Sequence, residues 1–374
     1  MSTHDIQALP VAQHHVVFRE QGAFAGWPAN YGMWAWGNEI LTIFLQGRLG
    51  GAEQLHARDK AHTFTPQQAR SRDGGVSWSI EPFSGRLPGR PILSGDEHVV
   101  PQLQAGPFID HKRDFEDLPE PIDFSDPETI VLCARTGLHA QAASWFYVSR
   151  NRGASWSGPY AFPHLAEGGI AARTDIVPLG QHDALFLLST AKRDGREGRV
   201  FCARTQDGGR SFRFVSFVGD EPAGFSIMPS SVRLADGGIV AAIRSSGPDK
   251  TTPNSSWIDI YRSDDLGESW REISRAVANA GFMGNPPALA LLPDQRLALV
   301  YGFRDRPYGI RAKTSADGGV TWGDEIIVRD DAHLPDLGYP RLVVRADGKL
   351  VTTYYFNDAT SPERYIAASV LSLG

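Results

Sequence analysis

Apolar residues come in short runs set in pairs, with Asp, Gly or Asn between the two members of each pair. The pairs are "MWAWGNEILTIF" (33–44), "DIVPLGQHDALFLL" (175–188), "SVRLADGGIVAAIR" (231–244), "ALALLPDQRLALVY" (288–301) and "RLVVRADGKLVTTYY" (341–355), with "TIVLCAR" (129–135) as a weaker sixth member. β-Branched and aromatic residues around such turns predict β-hairpins. Similar hairpins repeated along the whole chain predict an all-β repeat architecture.

A second repeat follows the hairpins. The frame Ser/Thr-x-Asp-x-Gly-x-Ser/Thr-aromatic occurs as "SRDGGVSW" from Ser71, "SRNRGASW" from Ser149, "TQDGGRSF" from Thr205, "SDDLGESW" from Ser263 and "SADGGVTW" from Ser315. Asn151 replaces the Asp once, and Phe212 replaces the Trp once. The spacing suits a four-stranded propeller blade with its loops. Each box fits the turn between the third and fourth strands of a blade. The Asp accepts amide hydrogens across the turn, and the Gly allows a positive φ. The aromatic residue is expected to wedge between blades. The turn lacks the further oxygen ligands of a calcium loop.

Six hairpins stand against five boxes. After the last hairpin "RYIAASVLSL" (364–373) supplies only one strand. The expectation is a six-bladed β-propeller of four-stranded antiparallel blades, a single domain over 1–374. "HHVVFRE" (14–20) would complete the last blade and remove its free edge.

Composition narrows the function classes. A net charge of −6 advertises no basic face for nucleic acid. No apolar run approaches a membrane span. "MSTHDIQALPVAQHH" lacks a charged start followed by an apolar stretch, so a cytoplasmic location is expected. Cys133 and Cys202 form no disulfide framework and no metal motif, and read as buried thiols. No cofactor or metal is expected.

In such a blade, the starts of the first strands share a face with the loops joining second and third strands. That face should carry Trp27, Asn30, Arg48, His56, Asp59, Asp110, His111, Arg135, Arg173 and Asp175. Lys192, Ser230, Arg244, Asn285, Arg304, Arg306, Asp336, Tyr339 and Tyr355 should join them. The Pro-rich stretch 79–123 could overhang the face as a lid. Arginine forks from several blades suit a carboxylate or phosphate, which suggests an anionic ligand.

With its boxes and its blade count, the chain resembles the sialidase (neuraminidase) superfamily, in a bacterial sialidase-like subgroup, over most of its length. The resemblance implies an attacking tyrosine aided by a glutamate, an aspartate acid/base, and three arginines on the substrate carboxylate. "GYPRL" (338–342) matches the tyrosine segment and makes Tyr339 the nucleophile candidate. "DGGIVAAIRS" matches the approach to the second arginine, hence Arg244. "RPYGIRAKTSADGG" matches the approach to the third, hence Arg306, with Arg304 as the alternative. "LHARDKAH" stands where the aspartate belongs, giving Asp59 as acid/base and His56 as second choice. Trp27, Asn30, Asp110, His111, Arg173, Asp175 and Asn285 are the further substrate-binding candidates.

Two positions depart from the family. "FAGWPAN" has Gly26 where the first arginine stands, and "MPSSV" has Ser230 and Ser231 where the glutamate belongs. The resemblance implies a glycoside hydrolase, exo-acting on an acidic or deoxy sugar at the central cleft. A uronate lyase on the same fold and a non-catalytic sugar-binding propeller stay open beside it. The expected partner is a small, anionic carbohydrate.

Overall fold

The paired apolar runs fold as antiparallel hairpins, because each run can bury one face only by pairing and stacking. The computed structural model describes residues 12–89, 93, 98–104 and 108–373. Within them the strands form an all-β propeller of five hydrogen-bonded sheets. Two are regular four-stranded meanders. One runs Phe225–Arg233, Ile239–Ser246, Ser256–Ser263, Arg271–Val277, and the other Pro287–Leu291, Leu297–Phe303, Gly309–Ser315, Ile326–Arg329. A five-stranded sheet sets Ile170–Ala171 and Ile176–Pro178 on Ala184–Ala191, followed by Glu197–Thr205 and Arg213–Phe217.

The largest sheet has nine strands and joins the two ends of the chain. Gly338–Val344, Leu350–Asp358 and Ser361–Leu371 continue through a short parallel bridge, Phe24 with Arg364, into Ala23–Gly26, Glu39–Arg48, Thr65–Ser71 and Ser79–Pro82. Met33–Trp36 pairs with Glu39–Arg48. The N-terminal strand Gln13–Phe18 lies antiparallel on Ser361–Leu371, with His14 opposite Ser369 and Val16 opposite Ala367.

Against the expected six four-stranded blades, two of the five sheets have four strands, two have more and one has fewer. Among the described residues, Ile130–Thr136, Ala143–Ser149 and Ser157–Ala161 form a sheet of three strands, not four. The segment before it carries Pro82, Pro88, Pro101, Pro119, Pro121 and Pro127. Proline cannot donate to a ladder where it stands, and a described backbone bond between this segment and the sheet's first strand is the Arg135 amide donating to the Leu93 carbonyl at 3.0 Å. The segment holds short helical turns instead, Pro101–Leu103 and His111–Asp114. Parts of the expected lid (90–92, 94–97 and 105–107) and the N-terminal residues 1–11 lie outside the described residues.

The repeated turns are fastened from within. The Asp73 carboxylate accepts from the amides of Val76 (3.2 Å) and Ser77 (2.9 Å) and from the Ser77 hydroxyl (2.5 Å). Asp317 does the same with Thr321, at 2.9 Å to its amide and 2.5 Å to its hydroxyl. Asn151 replaces the carboxylate with its amide oxygen on the Ser155 amide (2.9 Å) and its NH2 on the Ser155 hydroxyl. Phe212 packs edge-on against Phe146 and Phe186, so this aromatic lies between two neighbouring sheets. Cys133 and Cys202 are buried free thiols, and burial pushes Cys202 up to about 12.

These bonds tie stability to pH. The Ser77 hydroxyl and amide hold Asp73 at about 2, and the Arg113 guanidinium holds Asp114 at about 2, both below the usual 3.8. A lowered carboxylate stabilises the fold above its unfolded value and loses that contribution as pH falls through its folded value. Urea midpoints should therefore fall between pH 4 and 2. Asp73→Ala should cost about 1 kcal/mol, since its exposed donors recover water, and should flatten part of that slope.

Candidate active site

All five sheets send side chains to one central cavity of about 570 Å³. Tyr339 is the second residue of Gly338–Val344, and Trp27 follows Ala23–Gly26. His56 lies on the loop after Glu39–Arg48. Arg135, Arg173, Arg244 and Arg304 come from the other four sheets, in chain order.

The backbone at this cavity is unusual. Trp27 (φ 63°), His56 (57°), Met228 (57°), Met283 (57°) and Tyr339 (53°) are left-handed although none is glycine. They are five of the nine such residues among those described, and all five line the cavity. Such conformations cost energy and collect where surrounding structure imposes a side-chain direction. The ladder register slips at Ile227/Ser230 and at Gly338/Arg341, which turns Met228 and Tyr339 out of their strands.

The Tyr339 conformation is over-determined. Asn285 Oδ1 accepts its amide hydrogen at 2.8 Å, while Asn285 Nδ2 donates to the Leu337 carbonyl at 3.2 Å. Gly338 has φ 106°, and a Cβ there would sit 2.2 Å from Asn285 Oδ1. Only glycine permits this approach. Asn285 thus lies beneath Tyr339, fully buried, and not on the ligand side as its sequence position suggested.

Positive charge dominates the walls. Arg58, Arg135, Arg173, Arg196, Arg244, Arg304, Lys192 and Lys250 face Asp194, Glu197 and Asp249. This concentration of cations sits in a chain whose net charge is −6. Arg244 Nη1 donates toward the Tyr339 hydroxyl at 3.5 Å, Nη2 is bonded to the Met283 carbonyl, and Nε is buried without a partner. Arg304 is spent on the Leu337 and Gly284 carbonyls and the Tyr355 hydroxyl, and lies 5.7 Å over the Tyr339 ring. It supplies field more than ligand contact. Arg173 is held by Asn30 Oδ1 (2.9 Å) and Glu197 (2.7 Å). Burial pushes the Tyr339 phenol up, but Arg244, Arg304 and Arg173 outweigh it and hold its pKa below the usual 10. A phenol so placed is poised to ionise, which suits nucleophilic or basic chemistry.

Asp336 anchors the wall behind His56. Its carboxylate, 1 % exposed, accepts from the amides of His56 (2.7 Å) and Ala57 (2.9 Å), from Arg364 Nε (2.8 Å) and from the Tyr355 hydroxyl (2.8 Å). The His56 ring stands edge-on to Tyr339, with centroids 5.7 Å apart.

The cavity therefore gathers Tyr339, His56, Trp27, Asn30, Arg173, Arg244 and Arg304. Other expected residues stand elsewhere. Asp59 bonds the Ala61 amide (2.9 Å) and His62 (2.7 Å) at the surface. Its neighbour Arg58, in a bridge to Leu49, takes the cavity side over Trp27. Successive residues of an extended segment face opposite ways, so Arg58 excludes Asp59. Arg306 lies on the exposed turn after Arg304, 5.0 Å over the Tyr308 ring. Asp110 caps the helix His111–Asp114, where His111 packs against Phe115. Asp175 lies two residues deeper than Arg173 and accepts from the Ser231 amide and hydroxyl (3.0 Å) beside a second cavity of about 320 Å³.

Both departures have structural counterparts. A Cβ on Gly26 would meet the Phe24 ring at 2.7 Å, so that ring fills the space where an arginine would begin. Ser230 accepts from the Leu289 amide and Ser231 serves Asp175, away from Tyr339. Glu197, Arg196, Lys250, Met228 and Met283 were not anticipated. Met228 alone carried a signal, because "SIMPSS" repeats the residue-before-proline pattern of "GYPRL" and "GWPAN".

No protein-family model matches the chain, and no curated protein does. Solved structures do. A protein of unknown function from Dyadobacter fermentans is 21 % identical, with a TM-score of 0.67 over 96 % of this chain and 99 % of its own. A sialidase from Streptococcus pneumoniae is 12 % identical, with a TM-score of 0.60 over 96 % of this chain and 70 % of its own. An α-L-arabinofuranosidase from Fusarium graminearum is 14 % identical, with a TM-score of 0.54 over 94 % and 97 %. At these identities the likeness establishes the fold, a propeller of the kind found in sialidases and other glycoside hydrolases.

Proposed function

We propose that the protein is a glycoside hydrolase that cleaves a terminal acidic sugar in the central cavity, with Tyr339 attacking or stabilising the anomeric carbon. The observation that carries this reading is the Tyr339 hydroxyl beside Arg244, in a cationic cavity that lowers its pKa. Arg244, the neighbouring arginines and the lysines at the mouth hold the substrate carboxylate and offset charge in the transition state. The filled space over Gly26 favours an acidic sugar other than sialic acid. On this reading the nine-stranded sheet is two blades, which makes six in one domain, and the five repeated turns are Asp boxes that fasten them.

The test is a panel of nitrophenyl glycosides of glucuronic, galacturonic and sialic acids, with product analysis. Free sugar released without unsaturation supports hydrolysis. A conjugated double bond in the product assigns lyase chemistry instead, and saturable binding with no product assigns a lectin. Arg244→Leu checks the electrostatics. Removing the cation lets the Tyr339 pKa rise, so any limb of kcat/KM that rises with pH should move to higher pH, with KM increased. An unmoved limb would separate Arg244 from the reacting phenol.

A further inference from the structure

We infer that His56 works as a neutral imidazole whose Nε2–H donates to an oxygen of the bound acidic sugar, and that Trp27 is the positioning residue that fixes this tautomer. The inference rests on the reading of the cavity as a sugar site. It departs from the acid/base role that the sequence offered for His56.

The indole N–H of Trp27 points at His56 Nδ1 from 3.0 Å. An indole nitrogen only donates, so Nδ1 must present its lone pair, and the single proton of the neutral ring sits on Nε2. Tyr355 Oη lies 3.3 Å from the same Nδ1. Its hydroxyl proton goes to Asp336 (2.8 Å) and its oxygen accepts from Arg304 (2.8 Å), so it does not compete for Nδ1. An imidazolium would need a proton on Nδ1, aimed at the proton of Trp27.

The charges around the ring agree. Arg304, Arg58, Arg244 and Lys250 all oppose a cation there, after burial, which opposes it most. Asp336 Oδ1, 3.6 Å from Nδ1, favours a cation, but that carboxylate is engaged by Arg364, Tyr355 and two amides. The balance holds His56 well below its usual 6.5. The ring is also fixed in place. Its amide is tied to Asp336, its φ is 57°, and its edge meets the Tyr339 ring. With Nδ1 occupied in the wall, Nε2 is the nitrogen left for a ligand. A neutral imidazole that gave up its last proton would become imidazolate. Its chemistry is therefore to donate a hydrogen bond where negative charge gathers, without transferring the proton.

Nitrogen NMR on full-length protein labelled with 15N-histidine tests the tautomer, with His56 assigned by the signals lost in His56→Gln. The expected result is an unprotonated Nδ1 and a protonated Nε2, unchanged between pH 5 and 8. In Trp27→Phe, which keeps an aromatic ring and removes the N–H, the ring should populate both tautomers. A wild-type His56 that charges near 6.5, or carries its proton on Nδ1, overturns the inference. The wild-type measurement decides this even if Trp27→Phe fails to fold, and it needs no sugar.

Calorimetry with glucuronic acid and N-acetylneuraminic acid tests the donation. His56→Gln keeps an N–H and should bind within about threefold of wild type, whereas His56→Phe should lose roughly ten- to hundredfold. Equal loss in both variants overturns the donor role. Binding of neither acid by the wild-type protein overturns donation to a sugar together with the reading it rests on, whereas a titrating His56 overturns the inference alone.

Discussion

Tyr339→Phe is expected to lower kcat by at least about a thousandfold, the scale of losing a reacting nucleophile or base, with ligand affinity and melting temperature close to wild type. The substitution removes one oxygen. The ring keeps its contacts with His56 and Tyr355, at centroid distances of 5.7 and 5.9 Å. The amide still bonds Asn285, so the left-handed backbone is still held. Arg244 loses only its 3.5 Å approach to the hydroxyl and keeps the Met283 carbonyl. Binding and catalysis should therefore separate. Calorimetry and single-turnover kinetics on the same preparation measure both. Near-normal turnover by the Phe variant would remove tyrosine from the chemistry, and lost binding would give its hydroxyl a ligand-holding role.

The strands were legible because their signal is local. Each apolar pair, such as 231–244 and 288–301, carries its own turn, and the observed ladders follow these pairs. The repeated turns were legible for the same reason, since Asp73 and Asp317 bond residues within four positions. The three-stranded sheet was not, because the Pro-rich stretch before it carries no paired apolar run around a turn to mark an inner strand. Site residues divide along a similar line. Tyr339 and Arg173 sit on or beside first strands and Arg244 near the end of a second strand, positions that blade topology sends to one face. Loop residues have no such guide. Asp59 lost its place to Arg58 through the bridge at Leu49, and nothing within "LHARDKAH" announces that pairing. Asn285 was recognised as near the site but placed on the wrong side of the Tyr339 backbone. The second layer is set by contacts across the ring of sheets, such as Asn285 with Leu337, and these have no local trace. The left-handed residues are only partly marked: none of the five is a glycine, and the proline that follows Trp27, Met228 and Tyr339 is absent after His56 and Met283.

Asp336→Ala should be the most destabilising single change at the site, by about 3–5 kcal/mol, the cost of stranding a buried charge. Arg364 is 1 % exposed, and Asp336 is its carboxylate partner. Its remaining bonds go to the Pro362 and Ala52 carbonyls, which satisfy hydrogens without balancing charge. The same substitution orphans the amides of His56 and Ala57 and frees the Tyr355 hydroxyl. His56 then loses what holds it left-handed, so affinity should fall even where the protein remains folded. Arg364→Met alone leaves Asp336 buried with its three other donors, and should also destabilise. If the pair is coupled, the double variant Asp336→Ala/Arg364→Met should lose less than the sum of the two single changes. Denaturant unfolding of the four proteins measures the coupling. A loss below about 1 kcal/mol for Asp336→Ala, the range of an exposed pair, would mean that water reaches Arg364 and that the His56 wall is held by something other than this carboxylate.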